Sequence, residues 1–449
     1  WIGIPMLLGM FKGSLFGSSI TAILIKTPGT PAAAATVLDG YPLAQKGKGV
    51  KAMKMALYSS VFGDTFSDVM LIFAAGFLAS IALNFGPPEY TLLTGFSLLC
   101  VSSLTGNSVW KGLFSVFLGM IIGMIGLDPI TATPRLTFEY LELEEGIGLI
   151  PMLIGTLAVS EALRQMEQPV KKLASSTLIF SKQKIDNVVT FLEFKSTFPT
   201  IIKSSGLGTL IGAMPGLGST IAAFLAYGEA KRSSKKPENF GKGSLEGIAA
   251  SESANNAVSG SNMIPLLAFG IPGDIAAALI MGAFLIQGIT LGPVVFQDNP
   301  VEIYAIFAAL IVANLFNLFL GHGLIKMCKH VVTVPKRLLF PAVLVIASAG
   351  AYALRGSLFD IQLVFCFGVL GYVMMKCDIP TVPMLIGFIL IPIFEENLRV
   401  TLLLGSSHDL NVAFIFTRPA FVILFLIMTF TSLFILKRRK LRKLENINN

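Results

Sequence analysis

Ionisable and amide side chains set in apolar sequence are where this chain could do chemistry. Asp64 and Asp68 stand four apart in the apolar run 56–85, on one helical face. A charge within a span is a functional group by default, here a proton or Na+ relay. The plainer reading is solvation beside a cavity or a partnership with Lys26. Lys26 lies two positions before a proline, in Ile23-Leu24-Ile25-Lys26-Thr27-Pro28-Gly29-Thr30. Its ammonium could meet an anionic substrate, helped by the positive end of a helix opening at Thr30, or hold a carboxylate such as Asp64. The run Ala250-Ser251-Glu252-Ser253-Ala254-Asn255-Asn256-Ala257-Val258-Ser259-Gly260-Ser261-Asn262 is too polar for lipid yet leads straight into apolar sequence. Glu252 and the amides of Asn255 and Asn256 would line a hydrated site, donating to substrate oxygens and accepting from protons or ions. An interfacial loop with a helix cap is the alternative.

The elements that position these groups are interrupted helices. Pro28-Gly29 and Pro272-Gly273 each break an apolar segment, and each is followed by a small-residue run, Ala32-Ala33-Ala34 and Ala276-Ala277-Ala278. Each is preceded by a Gly-Ser pair, Gly17-Ser18 and Gly260-Ser261, one residue further away in the second copy. Proline removes a backbone donor and glycine permits unwinding. In lipid such irregular backbone survives only where it faces protein or a watery cavity. Paired breaks in corresponding positions of two halves point to a transporter site. A third glycine-rich stretch, residues 206–218, includes Gly212, Pro215 and Gly216. It lacks the Lys-Ser/Thr of a P-loop and the βα context of a dinucleotide fingerprint. It reads either as close helix packing through small residues or as a third break whose freed carbonyls hold a cation.

Composition sets the environment. The chain has 449 residues, 54% hydrophobic and 13% charged, with mean hydropathy +0.76. Soluble proteins carry roughly 25% charged residues, so this is a polytopic membrane protein with room for about ten spans of ~20 residues. The net charge of +8 is no nucleic-acid signature, because the basic residues cluster in loops and in the tail Lys437-Arg438-Arg439-Lys440 with Arg442-Lys443. Cys100, Cys328, Cys366 and Cys377 show no metal or disulfide spacing, and His322, His330 and His408 form no ligand cluster, so no cofactor or resident metal is expected. No signal-peptide pattern opens the chain, which starts abruptly at Trp1 in apolar sequence, and a natural beginning further upstream is expected.

Loop charge gives an orientation. The Lys-rich stretch 164–203 belongs in the cytoplasm by the positive-inside rule, and counting back puts the loop after the first break inside as well. Counting back from the basic tail leaves residues 297–302, after the second break, outside. Opposite faces for equivalent breaks is the mark of an inverted-topology repeat. The expected architecture is an all-α polytopic membrane protein with two inverted repeats carrying Pro-Gly-broken helices or helical hairpins. Its expected divisions are 1–163, an N-terminally incomplete first repeat; 164–203, a cytoplasmic basic linker holding an interfacial helix; 204–436, the second repeat; and 437–449, a cytoplasmic tail.

Several of these pieces resemble the large membrane subunit of the tripartite tricarboxylate transporters, the TctA-type family. They are Pro28-Gly29-Thr30-Pro31, Leu38-Asp39-Gly40-Tyr41-Pro42, Gly86-Pro87-Pro88-Glu89-Tyr90, Arg135-Leu136-Thr137-Phe138, Gly212-Ala213-Met214-Pro215-Gly216-Leu217-Gly218 and Phe240-Gly241-Lys242-Gly243. Glu252-Ser253-Ala254-Asn255-Asn256-Ala257, Ile264-Pro265 through Gly270-Ile271-Pro272-Gly273, Gly288-Ile289-Thr290-Leu291-Gly292-Pro293 and Asn397-Leu398-Arg399 fit too. The resemblance implies uptake of carboxylates by ion-driven secondary transport in a bacterial inner membrane. It also implies a small membrane subunit (TctB-type) and an extracytoplasmic solute-binding protein (TctC-type) as partners. Three departures stand out: an earlier Gly-x-x-Pro-Gly-x-Gly segment is absent, Lys26 stands where Asn is common, and Ser251 where Pro is common.

The expectation is therefore a symporter of a di- or tricarboxylate such as citrate, and not an enzyme. Substrate would bind at Ser18, Ser19, Lys26, Thr27, Pro28, Gly29, Thr30, Asn255, Asn256, Ser261, Pro272 and Gly273. The coupling Na+ or H+ would use Gly212, Pro215, Gly216, Glu252, Asp274, Asp64 and Asp68. A passive anion channel is the alternative. A membrane-embedded enzyme is the remoter one, since no nucleophile, metal or Asp-rich diphosphate motif is evident.

Overall fold

A computed structural model describes residues 3–104, 108–167, 181, 183–214, 218–328, 336–407, 412–426 and 428–429. The chain runs through α1 (Gly3–Ile25), α2 (Ala33–Leu43), α3 (Gly49–Ala82), α4 (Pro87–Leu104) and α5 (Val109–Gly123). A two-residue ribbon follows, β1 (Gly126–Leu127) antiparallel to β2 (Pro134–Arg135), with Gly126 opposite Arg135. Then come α6 (Leu141–Glu144), α7 (Leu149–Leu153), a π-helical turn Ile154–Val159, and α8 (Ser160–Glu167). The chain continues with α9 (Phe191–Gly212), α10 (Gly218–Ser233), α11 (Leu245–Ser261), α12 (Met263–Phe269) and α13 (Ile275–Ile286). It finishes with α14 (Val295–Asp298), α15 (Pro300–Cys328), α16 (Lys336–Arg355), α17 (Leu358–Lys376) and α18 (Thr381–Ser407).

Among the described residues, five helical stretches are long and apolar enough to cross a membrane: Gly3–Ile25, Ala33–Ala82, Pro300–Cys328, Leu358–Lys376 and Thr381–Gly405. The 50-residue stretch joins α2 to α3 through a π-helical turn, Ala44–Lys48, where Gly47 has φ 80°. The protein is thus an all-α polytopic membrane protein. The expected span 56–85 begins earlier, at Gly49, because that turn ends the preceding helix.

Local chemistry sets several boundaries. Thr190 and Glu193 form a reciprocal capping box at the start of α9, Thr190 N–H to Glu193 Oε2 at 2.8 Å and Glu193 N–H to Thr190 Oγ1 at 3.3 Å. Ser244 caps α11 by accepting from the Gly247 N–H at 3.3 Å. Gly270, left-handed at φ 70°, ends α12, and its N–H bonds the Leu266 carbonyl at 2.9 Å.

The chain folds into two compact units, residues 1–80 with 162–346, and residues 81–161 with 347–449. In the first, α11 is the core: every residue from Gly247 to Ser261 is buried. Helices α9 and α10 flank it, and α2 and α1 also pack against it. Close approach makes this burial feasible. A Cβ on Gly208 of α9 would meet the Ala254 carbonyl oxygen at 2.4 Å, and one on Gly63 of α3 would meet that of Ser253 at 2.3 Å. The run 250–262 is therefore a core helix rather than an interfacial loop. In the second unit, α18 packs on α4 and α5, while α17 packs on α7 and the π-helical turn.

Candidate functional site

The two Pro-Gly breaks are built alike, and the likeness is sharper than the sequence suggests. After α1 the chain folds back: the Gly29 N–H bonds the Ser18 carbonyl at 3.3 Å, and a Cβ on Gly29 would lie 2.9 Å from Ser18 Cα. At the second break, a Cβ on Gly273 would lie 2.9 Å from Asn262 Cβ. Ser18 Oγ lies 3.0 Å from Thr30 Oγ1, and Asn262 Nδ2 donates to Asp274 Oδ1 at 2.9 Å. Thr30 Oγ1 accepts from the N–H of Ala33, the first residue of α2, at 3.4 Å, and Asp274 caps α13 by accepting from the N–H of Ala277 at 2.9 Å. Ser18 and Asn262, Gly29 and Gly273, Thr30 and Asp274, and Ala33 and Ala277 are each 244 positions apart. The ungapped equivalence thus pairs Ser18 with Asn262, displacing the one-gap match of Ser18 to Ser261.

The tips differ in surroundings. Thr27, Pro28 and Gly29 are exposed, whereas Ile271, Pro272 and Gly273 are buried. Gly212, at the end of α9, presents its carbonyl to the second tip, 3.2 Å from where a Gly273 Cβ would sit. Gly218 lies beside Asp274. Pro215 and Gly216 lie outside the described residues. Lys26, with φ 55°, is exposed, and its ammonium stands over the Tyr41 ring, 5.8 Å from the centroid. It takes no part in the buried cluster around Asp64.

Helix α11 presents two different polar faces. On one, Glu252 accepts hydrogen bonds from Ser19 Oγ at 2.6 Å, from Ser60 Oγ at 3.0 Å and from Thr36 Oγ1. Asn256 Nδ2 donates to Ser60 Oγ and to the Glu252 carbonyl, both at 2.9 Å. Ser19, Glu252 and Asn256 thus form one network, in which the Asn256 Nδ2 is engaged and its Oδ1 has no partner. Ser261 Oγ turns back to the Ala257 carbonyl at 2.8 Å. On the other face, Ser251, Asn255 and Asn262 line up by helical spacing. Ser251 Oγ touches Thr36 Oγ1 of α2 at 3.1 Å, and Asn262 binds Asp274. This face therefore meets an element behind each break at its two ends. Between them, Asn255 is 1% exposed, and neither Nδ2 nor Oδ1 has a hydrogen-bond partner. A buried amide left so costs free energy, which a bound group would recover.

Asp64 and Asp68 do share a face, but their cation is Lys12 rather than Lys26. Lys12 Nζ contacts Asp68 Oδ2 directly, lies 3.9 Å from Asp64 Oδ1, and donates to Asn314 Oδ1 at 2.8 Å. All four side chains are buried. Ser259 of α11 donates to Asp64 Oδ1 at 2.5 Å. A lone lysine in the apolar segment of α1 was as anomalous as the two aspartates, so the signal was present.

The second unit holds a charge cluster also missed. Arg399 pairs with Asp128 Oδ2 at 2.9 Å and with Glu395 Oε1 at 2.5 Å, while Arg135 reaches the same two carboxylates at 3.3 and 2.7 Å. A hydrogen bond from Arg399, then the N–H groups of Thr131 and Ile130, hold the Asp128 carboxyl well below the usual carboxylate range.

The sequence model of the tripartite tricarboxylate transporter TctA family matches residues 2–386. An Agrobacterium vitis protein described as "Uncharacterized 52.8 kDa protein in TAR-I ttuC' 3'region" is 37% identical over 402 residues, covering 90% of this chain and 79% of that protein. Another from the same organism, "Uncharacterized protein in TAR-II ttuC' 3'region", is 41% identical over 200 residues, covering 44% of this chain and 83% of its own length. No solved structure matches. With broken membrane helices around a buried polar core and a family match over most of its length, the chain belongs to the tripartite tricarboxylate transporter TctA family, a family of membrane transport proteins.

Proposed function

We propose that this chain is the large transmembrane subunit of a binding-protein-dependent carrier that imports a di- or tricarboxylate by cation symport. The observation that carries the reading is the unpaired, buried amide of Asn255 on the α11 face that meets both broken segments. The amide donates to a substrate carboxylate there. Hydroxyls of Ser18 and Thr30 and the backbone of the Thr27–Gly29 and Pro272-Gly273 tips flank it, as do the N-terminal ends of α2 and α13. Lys26, exposed on the first tip, meets the anion at the entrance. Ser19, Glu252, Asn256 and Ser261 support the site from behind. The Gly212 carbonyl and the Asp274 carboxylate border the second tip. Binding of the coupling ion strengthens anion binding, and the coupling is reciprocal.

Two features support an alternating-access carrier built from repeats. The tip geometry recurs after 244 residues, and each half of the chain supplies first one compact unit and then the other. Loop lysines orient the repeats oppositely, with the 164–203 stretch and the tail in the cytoplasm of a bacterial inner membrane. A TctB-type membrane subunit and a TctC-type solute-binding protein complete the system.

The test uses proteoliposomes holding this chain with its small membrane subunit and binding protein. Counterflow of radiolabelled acetate, succinate and citrate is measured. Exchange of succinate or citrate, and at least a tenfold loss (about 1.4 kcal/mol) in Asn255→Ala, is expected. Undiminished exchange in that variant would remove Asn255 from the site.

A further inference from the structure

The Lys12, Asp64 and Asp68 cluster is not used by the substrate site. Lys12 is 1% exposed and both aspartates are 0% exposed, so all three charges lie out of water. One ammonium serves two carboxylates, which leaves one negative charge in excess when all are ionised. The surplus is visible in the hydrogen bonding. Asp64 Oδ2 and Asp68 Oδ1 have no partner, although the other oxygen of each is engaged, by Ser259 and by Lys12 with Asn314. Asn314 Nδ2 donates to Asp68 Oδ2 at 2.7 Å while its Oδ1 accepts from Lys12, so its amide is spent. A buried, uncompensated carboxylate is far costlier than a neutral acid, and two like charges sharing a site drive one of them to protonate.

Among the described residues, the helices packed on the cluster offer no other compensation. Helix α1 contributes Lys12 itself. Helix α11 contributes the hydroxyl of Ser259 and, further along, Glu252, whose own oxygens are held by hydroxyls and which adds negative charge. Helix α15 contributes Asn314; its His322 lies farther along, bonded to Tyr58 of α3 at 3.1 Å. A metal cation would have to enter beside an ammonium that already sits between the carboxylates, against its repulsion. A proton needs only a free carboxylate oxygen, and two are present.

We infer that the Lys12–Asp64–Asp68 triad is a proton-binding site in which one proton is shared by the two carboxylates while Lys12 stays charged, and that this proton is the coupling ion. The inference rests on the symporter reading. The proton adds to a free oxygen of Asp64 or Asp68, takes the triad from −1 to neutral, and leaves again as a proton, with no other bond made or broken. The cluster joins the substrate network along α3, because Ser60, Asp64 and Asp68 recur every four residues and Ser60 bonds both Glu252 and Asn256. In the repeat, Lys12 stands at the position of Asn256, 244 residues on. Both reach the same face of α3.

Infrared difference spectroscopy of the full chain in detergent, from about pH 9 to about pH 5, reads the carboxylic-acid C=O band directly. A titrating band is expected in the natural protein and not in the neutral variant Lys12→Met/Asp64→Asn/Asp68→Asn, whose asparagines keep the aspartate shape. Added Na+ should leave it unchanged. In proteoliposomes an inside-alkaline pH gradient without Na+ should accumulate succinate or citrate, whereas the neutral variant should exchange them without accumulation. Absence of the band would make the triad a static ion cluster, and loss of the band on adding Na+ would make it a metal site; either overturns the inference. A titrating band with no pH-driven accumulation overturns the coupling role. Failure of all counterflow sinks the carrier reading instead, and the band alone then decides the proton site.

Discussion

The Asn256 Nδ2 is tied to Ser60 and to the Glu252 carbonyl, leaving only its Oδ1 unpaired, while neither amide atom of its neighbour Asn255 has a hydrogen-bond partner. Their truncations should part company. Asn256→Ala removes buried hydrogen bonds and should cost about 1–3 kcal/mol, read as a lower thermal midpoint of the purified protein. Asn255→Leu replaces an unsatisfied amide by an apolar group of similar size, so its midpoint should hold or rise while counterflow is lost. Equal losses of stability would show Asn255 to be structural. The sequence marked both amides as one motif and could not separate them. Adjacent positions on a helix point about 100° apart, and which direction holds a partner is decided by α2 and α3.

At the scale of elements, the core helix α11 survives burial because glycines let α9 and α3 approach its backbone. Gly208→Val places a branched side chain where even a Cβ would be 2.4 Å from the Ala254 carbonyl oxygen. Such overpacking against backbone should cost about 1–3 kcal/mol, measured as a smaller heat-resistant main peak on size-exclusion chromatography. A valine there with unchanged stability would mean that α9 can slide freely. The two broken elements were legible in sequence from Pro28-Gly29 and Pro272-Gly273. Their register was not. Serine is common enough to align Gly17-Ser18 with Gly260-Ser261, but the fold-back places Asn262, not Ser261, opposite the second glycine.

For the whole molecule, the two compact units draw alternately on the two halves of the chain. In the unit of residues 81–161 with 347–449, Asp128, Arg135, Glu395 and Arg399 tie the β-ribbon loop to α18. Asp128 ionises more readily here than in the unfolded chain. Its contribution is therefore complete above the unfolded value of roughly 4 and is lost as pH falls through its lowered folded value. Asp128→Asn should be less heat-stable than the natural protein near pH 7, with the difference shrinking as pH drops below about 4. A difference independent of pH would show that the carboxylate charge carries none of the effect.

Composition and spacing alone determined that the chain lives in a membrane, that it is helical, and that its apolar segments break at two Pro-Gly pairs. These are properties of local sequence: hydropathy sets the solvent, and proline and glycine set where a helix must stop. The partners of the buried charges were decided only by tertiary structure. Of the two lysines in and just after α1, Lys26 is the nearer to Asp64 in sequence, yet it remains exposed beside Tyr41 while Lys12 is drawn in. Arg135 and Arg399, far apart in the chain, meet on Asp128 and Glu395. A charge finds its partner through distance in space, which helix packing sets and local sequence does not encode.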